Sequence, residues 1–279
     1  MIPLNLQTTK TLANGVEMPR LGLGVYKMTN RDETLQAITT ALNVGYRAID
    51  TAALYYNEEE VGEAIRHSSV AREDIFVTTK VWNSDQGYDN TLRAFETSLK
   101  KLNMDYVDLY LTHWPVADKF VDTYRAIERL YEEKLIRVPG VSNHHEHHLQ
   151  QILANCHVAP MVNQVELQPY LNQAQLRAFC NEQNIAVTAW SPLGRGTVLT
   201  DETIIRIANE YNVTAAQIII RWHLQNDIIV IPKSVTPSRI KENSEVFHFE
   251  LTEATMQEIN VLNRNERFGQ NPDSFKFDF

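Results

Sequence analysis

Leu109-Tyr110-Leu111-Thr112-His113 is a short, β-prone apolar run that stops on an imidazole. Four other segments of the chain have the same form. Ala48-Ile49-Asp50 ends on a carboxylate with Tyr55 just beyond, and Val77-Thr78-Thr79-Lys80 ends on an ammonium. Val141-Ser142-Asn143 and Met161-Val162-Asn163-Gln164 end on hydroxyl and amide groups. In a barrel of parallel strands, residues from separate strand ends converge on one face, and that face carries the active site. The five runs therefore predict a single site assembled from half the chain.

Outward from these runs, eight candidate strands can be read: Leu21-Gly22-Leu23, Tyr46 to Asp50, Ile75 to Lys80, Val107 to Thr112, Ile136 to Val141, Met161 to Val165, Ala186 to Trp190 and Ile228 to Ile231. Between them lie segments of helical period, such as Leu35-Ile38-Ala41-Leu42, Leu92-Phe95-Leu99-Leu102 and Phe120-Tyr124-Ile127-Tyr131. Strands alternating with helices specify a parallel sheet with crossover helices, and eight repeats favour a (β/α)8 TIM barrel over a doubly wound sheet. No Pro/Gly/Ser-rich linker divides the chain, so residues 1–279 read as one domain. Asn14-Gly15, set between short apolar pieces, predicts a tight β-hairpin capping the fold at its start, with Leu199 to Gln225 holding two helices before the last strand. The polar and aromatic tail after Asn263 is expected to lie across the barrel mouth.

The 279 residues are 43% hydrophobic, enough to bury a large core, and carry a net charge of -9. That charge excludes a general nucleic-acid binder and confines any anion site to a focused pocket. Cys156 and Cys180 sit in separate helix-like segments and suggest neither a disulfide nor a thiolate metal site, which fits a reducing cytoplasm. Met1 to Lys10 has no signal-like apolar core, and no stretch approaches the roughly 20 apolar residues that span a bilayer. A cytoplasmic protein off the membrane is expected, and a monomer, since no obligate partner is indicated.

In Asp50-Thr51-Ala52-Ala53-Leu54-Tyr55-Tyr56-Asn57-Glu58 a strand leads into a helix, with Asn57 as its expected cap and Glu60 completing a capping box. Tyr55 then sits in a loop on the catalytic face. Its ordinary pKa of about 10 suits an acid only when a cation stabilises the phenolate, and Lys80 on the next strand is that cation. A buried ammonium needs a counter-ion, which Asp50 supplies. His113 can donate to a substrate carbonyl or share the proton transfer, with Trp114 as an apolar wall. Taken alone, each of these residues is more often structural than catalytic. Four at successive strand ends are hard to reconcile with a purely structural role.

At this point the motifs match a family. Asp50-Thr51-Ala52 with Tyr55 and Asn57-Glu58, Lys80-Val81-Trp82, Leu111-Thr112-His113-Trp114-Pro115, Gly140-Val141-Ser142-Asn143, Asn163-Gln164-Val165-Glu166, Ala189-Trp190-Ser191-Pro192-Leu193 and Ile231-Pro232-Lys233-Ser234 closely resemble the aldo-keto reductases. The likeness runs from the hairpin to about Pro272 and is strongest for the bacterial branch that reduces small dicarbonyls and diketo sugar acids. It implies a (β/α)8 barrel and an NADPH-dependent reductase of aldehydes, ketones or dicarbonyls. The implied tetrad has Tyr55 as general acid, Lys80 lowering its pKa, Asp50 paired with Lys80, and His113 orienting the carbonyl.

The same likeness carries over cofactor residues. Ser142, Asn143 and Gln164 would hold the nicotinamide carboxamide, Trp190 would stack on the ring, and Ser191 and Leu193 would contact the pyrophosphate. Lys233, Ser234, Arg239 and Asn243 would meet the adenosine end, where charge-assisted contacts to a 2'-phosphate favour NADP over NAD. Gly22-Leu23-Gly24-Val25-Tyr26 supplies only the first two glycines of a dinucleotide-binding turn, so side chains and loops must hold the phosphates. Tyr26, Trp82 and Trp114 match the substrate-pocket walls, with Phe268, Asn271 and Phe275 as weaker additions.

Three features depart from the family pattern. Pro139 deletes a ladder donor from a central strand and is expected to bend or weaken it. His144 stands where an aromatic is common, and Leu167-Gln168-Pro169 replaces a stretch that usually holds an aromatic and a His before Pro. In His144-His145-Glu146-His147-His148, His144 and His148 are four apart on one helix face, but there is no HExxH and no metal is expected. Two other activities compete with carbonyl reduction: a barrel aldolase with Lys80 as Schiff-base nucleophile, and an NADPH-binding sensor with little turnover.

Overall fold

The eight strand-forming runs become eight parallel strands, each hydrogen-bonded to the next in chain order. In the computed structural model, which describes residues 4–275, a hairpin of β1 (Thr9–Thr11) and β2 (Glu17–Pro19) comes first. The barrel strands are β3 (Leu23–Gly24), β4 (Ala48–Asp50), β5 (Phe76–Val81), β6 (Val107–Thr112), β7 (Ile136–Ser142), β8 (Val162–Glu166), β9 (Ala186–Trp190) and β10 (Ile229–Val230). Backbone bonds from Gly22 N to Val230 O (3.0 Å), Val230 N to Arg20 O (3.0 Å) and Gly24 N to Pro232 O (3.2 Å) join the first strand to the last and close the ring.

One helix covers each of the first six crossovers: α1 (Arg31–Val44), α2 (Glu58–Arg66), α3 (Tyr88–Leu102), α4 (Phe120–Glu132), α5 (Glu146–Asn155) and α6 (Ala174–Glu182). Between β9 and β10 lie α7 (Glu202–Tyr211) and α8 (Ala215–Gln225), the expected pair, and α9 (Pro237–Ser244) and α10 (Glu253–Asn260) follow β10. No helix among the described residues is long and apolar enough to cross a membrane.

Strands buried on both faces are rich in apolar residues on both, which is why the runs read as mostly apolar rather than strictly alternating. Leu109 and Leu111 point into the barrel with Ala48, Phe76, Val138, Val162, Ala186 and Ile229. Tyr110, out of phase by one, packs under the helices instead. Leu12 and Met18 of the hairpin join the interior cluster at the first residues of the strands, so the hairpin plugs the end opposite the strand termini.

That hairpin is looser than the sequence suggests. Leu12 N donates to Val16 O and Gly15 N to Leu12 O at 2.9 Å each, with Gly15 at φ +84°. The loop is therefore Ala13-Asn14-Gly15, a turn followed by a left-handed glycine, in place of a two-residue turn. The extra residue frees Asn14 to donate to Arg137 O (3.0 Å), tying the plug to β7.

Asn57 does not cap α2, and the expected capping box with Glu60 is absent. Its side chain turns inward, accepting from Thr51 Oγ1 (2.7 Å) and donating to Val25 O (2.9 Å) and Met28 O (3.1 Å). It thereby joins the loop after β3 to the loop after β4. Glu58 is also buried, accepting from Thr79 Oγ1 at 2.7 Å.

Pro139 does not interrupt β7, which runs unbroken from Ile136 to Ser142. Its carbonyl accepts from Met161 N at 2.9 Å, so its donorless nitrogen faces the same neighbour one rung earlier. The β7–β8 register begins only at Gly140↔Val162, and the missing donor falls where no partner strand has started.

Candidate active site

Asp50, Lys80 and His113 stand at the C-terminal ends of β4, β5 and β6, and Tyr55 closes the short 3-10 turn Ala53–Tyr55 that follows β4. Parallel pairing sets them side by side. Lys80 Nζ donates to Asp50 Oδ1 (2.6 Å) and to the Thr51 carbonyl (2.8 Å) and lies 3.5 Å from the Tyr55 hydroxyl. The rings of Tyr55 and His113 meet edge to face, their centroids 5.7 Å apart. Asp50, Tyr55 and His113 line a cavity of about 340 Å³, and the fully buried Lys80 lies beneath its floor.

Lys80 is saturated by these partners, which removes the free amine a Schiff-base aldolase needs. Burial pulls its pKa down, while the charge and hydrogen bond of Asp50 push it back up. Burial lowers His113 well below the ordinary histidine value, helped by the Lys80 charge, so the ring is neutral. Tyr55 departs from expectation. Burial, then the charge of Asp50 and the neighbouring Tyr26, raise its phenol well above the usual value, so the lowering expected from Lys80 does not prevail. The group at the cavity is a protonated phenol beside an ammonium.

Tyr26, Trp82 and Trp114 all line the cavity. Tyr26 packs on Tyr55 (5.0 Å between centroids) and Trp82 on His113 (5.1 Å), while Gln86 Nε2, unnoticed in the sequence, holds Trp114 by its carbonyl at 2.7 Å. From the tail, Gly269, Gln270 and Phe275 complete the wall, with Phe275 4.9 Å from Trp114. The tail therefore crosses the mouth as expected, but Phe268 packs on the core and Asn271 turns to accept from Asp273 N.

Ser142, Asn143 and Gln164 line the same cavity and are wired to two of the four reactive residues, Asp50 and His113. Gln164 Nε2 donates to Asp50 Oδ2 at 2.6 Å, and Asn143 Nδ2 donates to the His113 carbonyl at 2.9 Å. Trp190 Nε1 donates to Asn143 Oδ1 (2.8 Å), and Ser142 Oγ to Gln164 O (2.7 Å). Asn143 (φ 63°) and Ser191 (φ 47°) both take left-handed backbone at a strand end. Asparagine tolerates that conformation. For serine it is strained, and such strain is concentrated at functional sites.

A profile of the Aldo/keto reductase family matches residues 20–264. The chain belongs to the aldo/keto reductase family. The reductase is 51% identical over 276 residues to glyoxal reductase of Bacillus subtilis (strain 168), covering 99% of this chain and 100% of that one. It is 48% identical over 279 residues to methylglyoxal reductase DkgA of Yersinia pestis, covering 99% and 100%. The crystal structure of a Gox0644 mutant in complex with NADPH superposes with a TM-score of 0.92 at 44% identity, covering 97% of this chain and 99% of that one.

The remaining sequence candidates of the reductase divide by position. Trp190, Ser191 and Lys233 line the cavity, joined by Arg195, which the sequence reading passed over. Leu193 instead packs against the core, and Ser234 bonds to the Thr236 backbone in the turn before α9. Arg239 and Asn243 lie one turn apart on α9, with Arg239 exposed and Asn243 buried. These four stand outside the cavity wall.

The three departures from family pattern are accommodated locally. His144 is fully buried and donates from Nδ1 to Ser142 O at 2.8 Å, with Phe120 edge-on at 5.6 Å, so a neutral imidazole fills an aromatic's place. Gln168 accepts from Tyr170 N (2.7 Å) and donates to Glu266 O (3.0 Å), anchoring the tail. Glu166, also overlooked, accepts from Phe268 N (2.7 Å) and Gly269 N (3.0 Å). A Cβ on Gly269 would lie 2.4 Å from Trp190, so only glycine lets the tail settle on that indole.

Proposed function

We propose that this reductase uses NADPH to reduce small carbonyl compounds, dicarbonyls foremost, with Tyr55 as proton donor. The observation that carries the reading is the Lys80 ammonium held between Asp50 (2.6 Å) and the Tyr55 hydroxyl (3.5 Å) under the cavity floor. As the carbonyl oxygen gains charge, the phenol gives up its proton and the new phenolate forms beside an ammonium already in place. Interactions that strengthen only as charge develops lower the barrier. His113, neutral because it is buried, offers an N–H that orients the carbonyl without a competing charge. Asp50 keeps Lys80 protonated and aimed.

The residues fit NADPH. An indole face at Trp190, the Ser142, Asn143 and Gln164 side chains, and the exposed cation Lys233 surround one cavity. The cofactor supplies the hydride when bound. Ser142, Asn143 and Gln164 would hold its carboxamide and Ser191 its pyrophosphate, while Leu193, packed on the core, would only shape the loop beside it. Lys233, Ser234, Arg239 and Asn243 would meet the adenosine end, with Lys233 and Arg239 at its 2'-phosphate. The aromatic walls Tyr26, Trp82 and Trp114 suit a small, flat substrate, and the glyoxal and methylglyoxal reductases among the relatives support dicarbonyls. The same reading takes the chain as a single-domain cytoplasmic monomer.

The test is a panel of glyoxal, methylglyoxal and simple aldehydes at fixed NADPH or NADH, followed by cofactor absorbance. NADPH should give the higher kcat/KM, with dicarbonyls the best substrates. Cofactor binding without turnover on any carbonyl would overturn the reading in favour of a sensor.

A further inference from the structure

Carbonyl reduction leaves His144-His145-Glu146-His147-His148 unused. The helix-face pair read from the sequence, His144 with His148, is not available: His144 precedes α5 and is sealed inside. What the fold supplies instead is a residue from the tail. Asp273 lies over the start of α5, with its Oδ1 3.3 Å from His147 Nε2 and 4.0 Å from His148 Nε2. The three ligating atoms lie within 4.8 Å of one another, the one such group among the described residues.

We propose that His147, His148 and Asp273 bind a divalent transition metal ion of the zinc type, which fastens the C-terminal tail to α5 beside the cavity mouth. Two imidazoles and one carboxylate match the ligand preferences of Zn²⁺, Ni²⁺ and Cu²⁺, whereas Mg²⁺ and Ca²⁺ take oxygen ligands. Bonds of about 2.0–2.1 Å in a tetrahedron put ligand atoms roughly 3.4 Å apart, so the site needs only a small contraction. The His147 side chain is 55% exposed, free to adjust and open to an incoming ion, which leaves a coordination position for water.

The tail is already hung on this helix start. Arg267 donates to His145 Nε2 (3.0 Å), which puts the ring proton on Nδ1, and Nδ1 donates to Asp273 Oδ2 (2.9 Å). One imidazole thus pins both ends of 267–273, and Gly269 and Gln270 between them line the cavity. A metal on Asp273 Oδ1 adds a second tie without displacing the first. It has a local consequence: His148 Nδ1 accepts the His145 backbone N–H (3.1 Å), and ligation through Nε2 gives up that bond. The site is thereby an auxiliary one of moderate affinity, separate from the reaction.

Zn²⁺ titrated calorimetrically into the chelator-stripped full chain tests this without any turnover, so its outcome is independent of the reductase reading. Wild type should bind one equivalent. His147→Ala and Asp273→Asn should each weaken binding at least ~10-fold, as loss of support at a metal site does, while the exposed His157→Ala leaves it unchanged. Zn²⁺ should also slow proteolysis of the tail in wild type but not in Asp273→Asn. No saturable binding, or binding equal in all four proteins, overturns the proposal. Weakening in His147→Ala with none in Asp273→Asn overturns the role of the tail.

Discussion

Asp50 accepts from two strands at once, Lys80 of β5 on one oxygen and Gln164 of β8 on the other, at 2.6 Å each. It is both counter-ion and brace, and its two roles separate by mutation. Lys80→Met leaves the carboxylate buried without its cation, and breaking a buried pair this way costs about 3–5 kcal/mol. Urea unfolding should show that loss. Asp50→Leu combined with Lys80→Met removes both charges and should recover much of it, because apolar replacement of a whole buried pair is often neutral. The double variant should still be inactive. Sequence reasoning found the pair because an unpaired strand-end Lys makes no physical sense. It missed Gln164 as a partner of Asp50, because the two are 114 residues apart and meet only when the barrel closes. The inward turn of Asn57 was hidden for the converse reason. An Asn before a helix with a Glu three residues on reads locally as a cap, and only the closeness of Val25, Met28 and Thr51 offers it better partners.

The strands and helices were legible because most of the strands begin in short apolar runs and most of the helices show one apolar face. Boundaries shifted by only a residue or two, as when Leu21-Gly22-Leu23 became Leu23–Gly24 with Leu21 kept as an isolated bridge to Val230. The error at Pro139 came from reasoning about one strand without its register. A proline in a central strand is disruptive only if its nitrogen faces a carbonyl, and the start of β8 at Val162 means it does not. Pro139→Val should therefore gain nothing from the restored N–H. It should instead lose about 0.4–1 kcal/mol through the freer unfolded chain, measured by denaturant midpoint. A clear gain in stability would show that a rung is missing after all.

Across the molecule, neutral histidines are folded into places that proton uptake would disrupt. Burial lowers His144 from 6.5 to about 3 and lowers His113 well below 6.5. With the folded values below the unfolded ones, the unfolded chain takes up protons first as pH falls. The stability these groups contribute is thus whole above about 6.5 and is lost on acidification toward their folded values. The thermal midpoint should decline from about pH 6.5 to about pH 4, and His144→Phe, which keeps a ring against Phe120, should make that slope shallower. The architecture and the meeting of the reactive groups could be read ahead because both follow from strand order. Tail anchoring by Glu166, Gln168 and His145 could not, since it depends on where an aperiodic segment comes to rest. The central claim is that Tyr55 supplies the proton, and single-turnover oxidation of NADPH by methylglyoxal tests it most directly. Tyr55→Phe should slow that step at least ~100-fold, the usual contribution of a positioned acid, with the Kd for NADPH unchanged. A Tyr55→Phe enzyme that turns over at close to the wild-type rate would contradict the account.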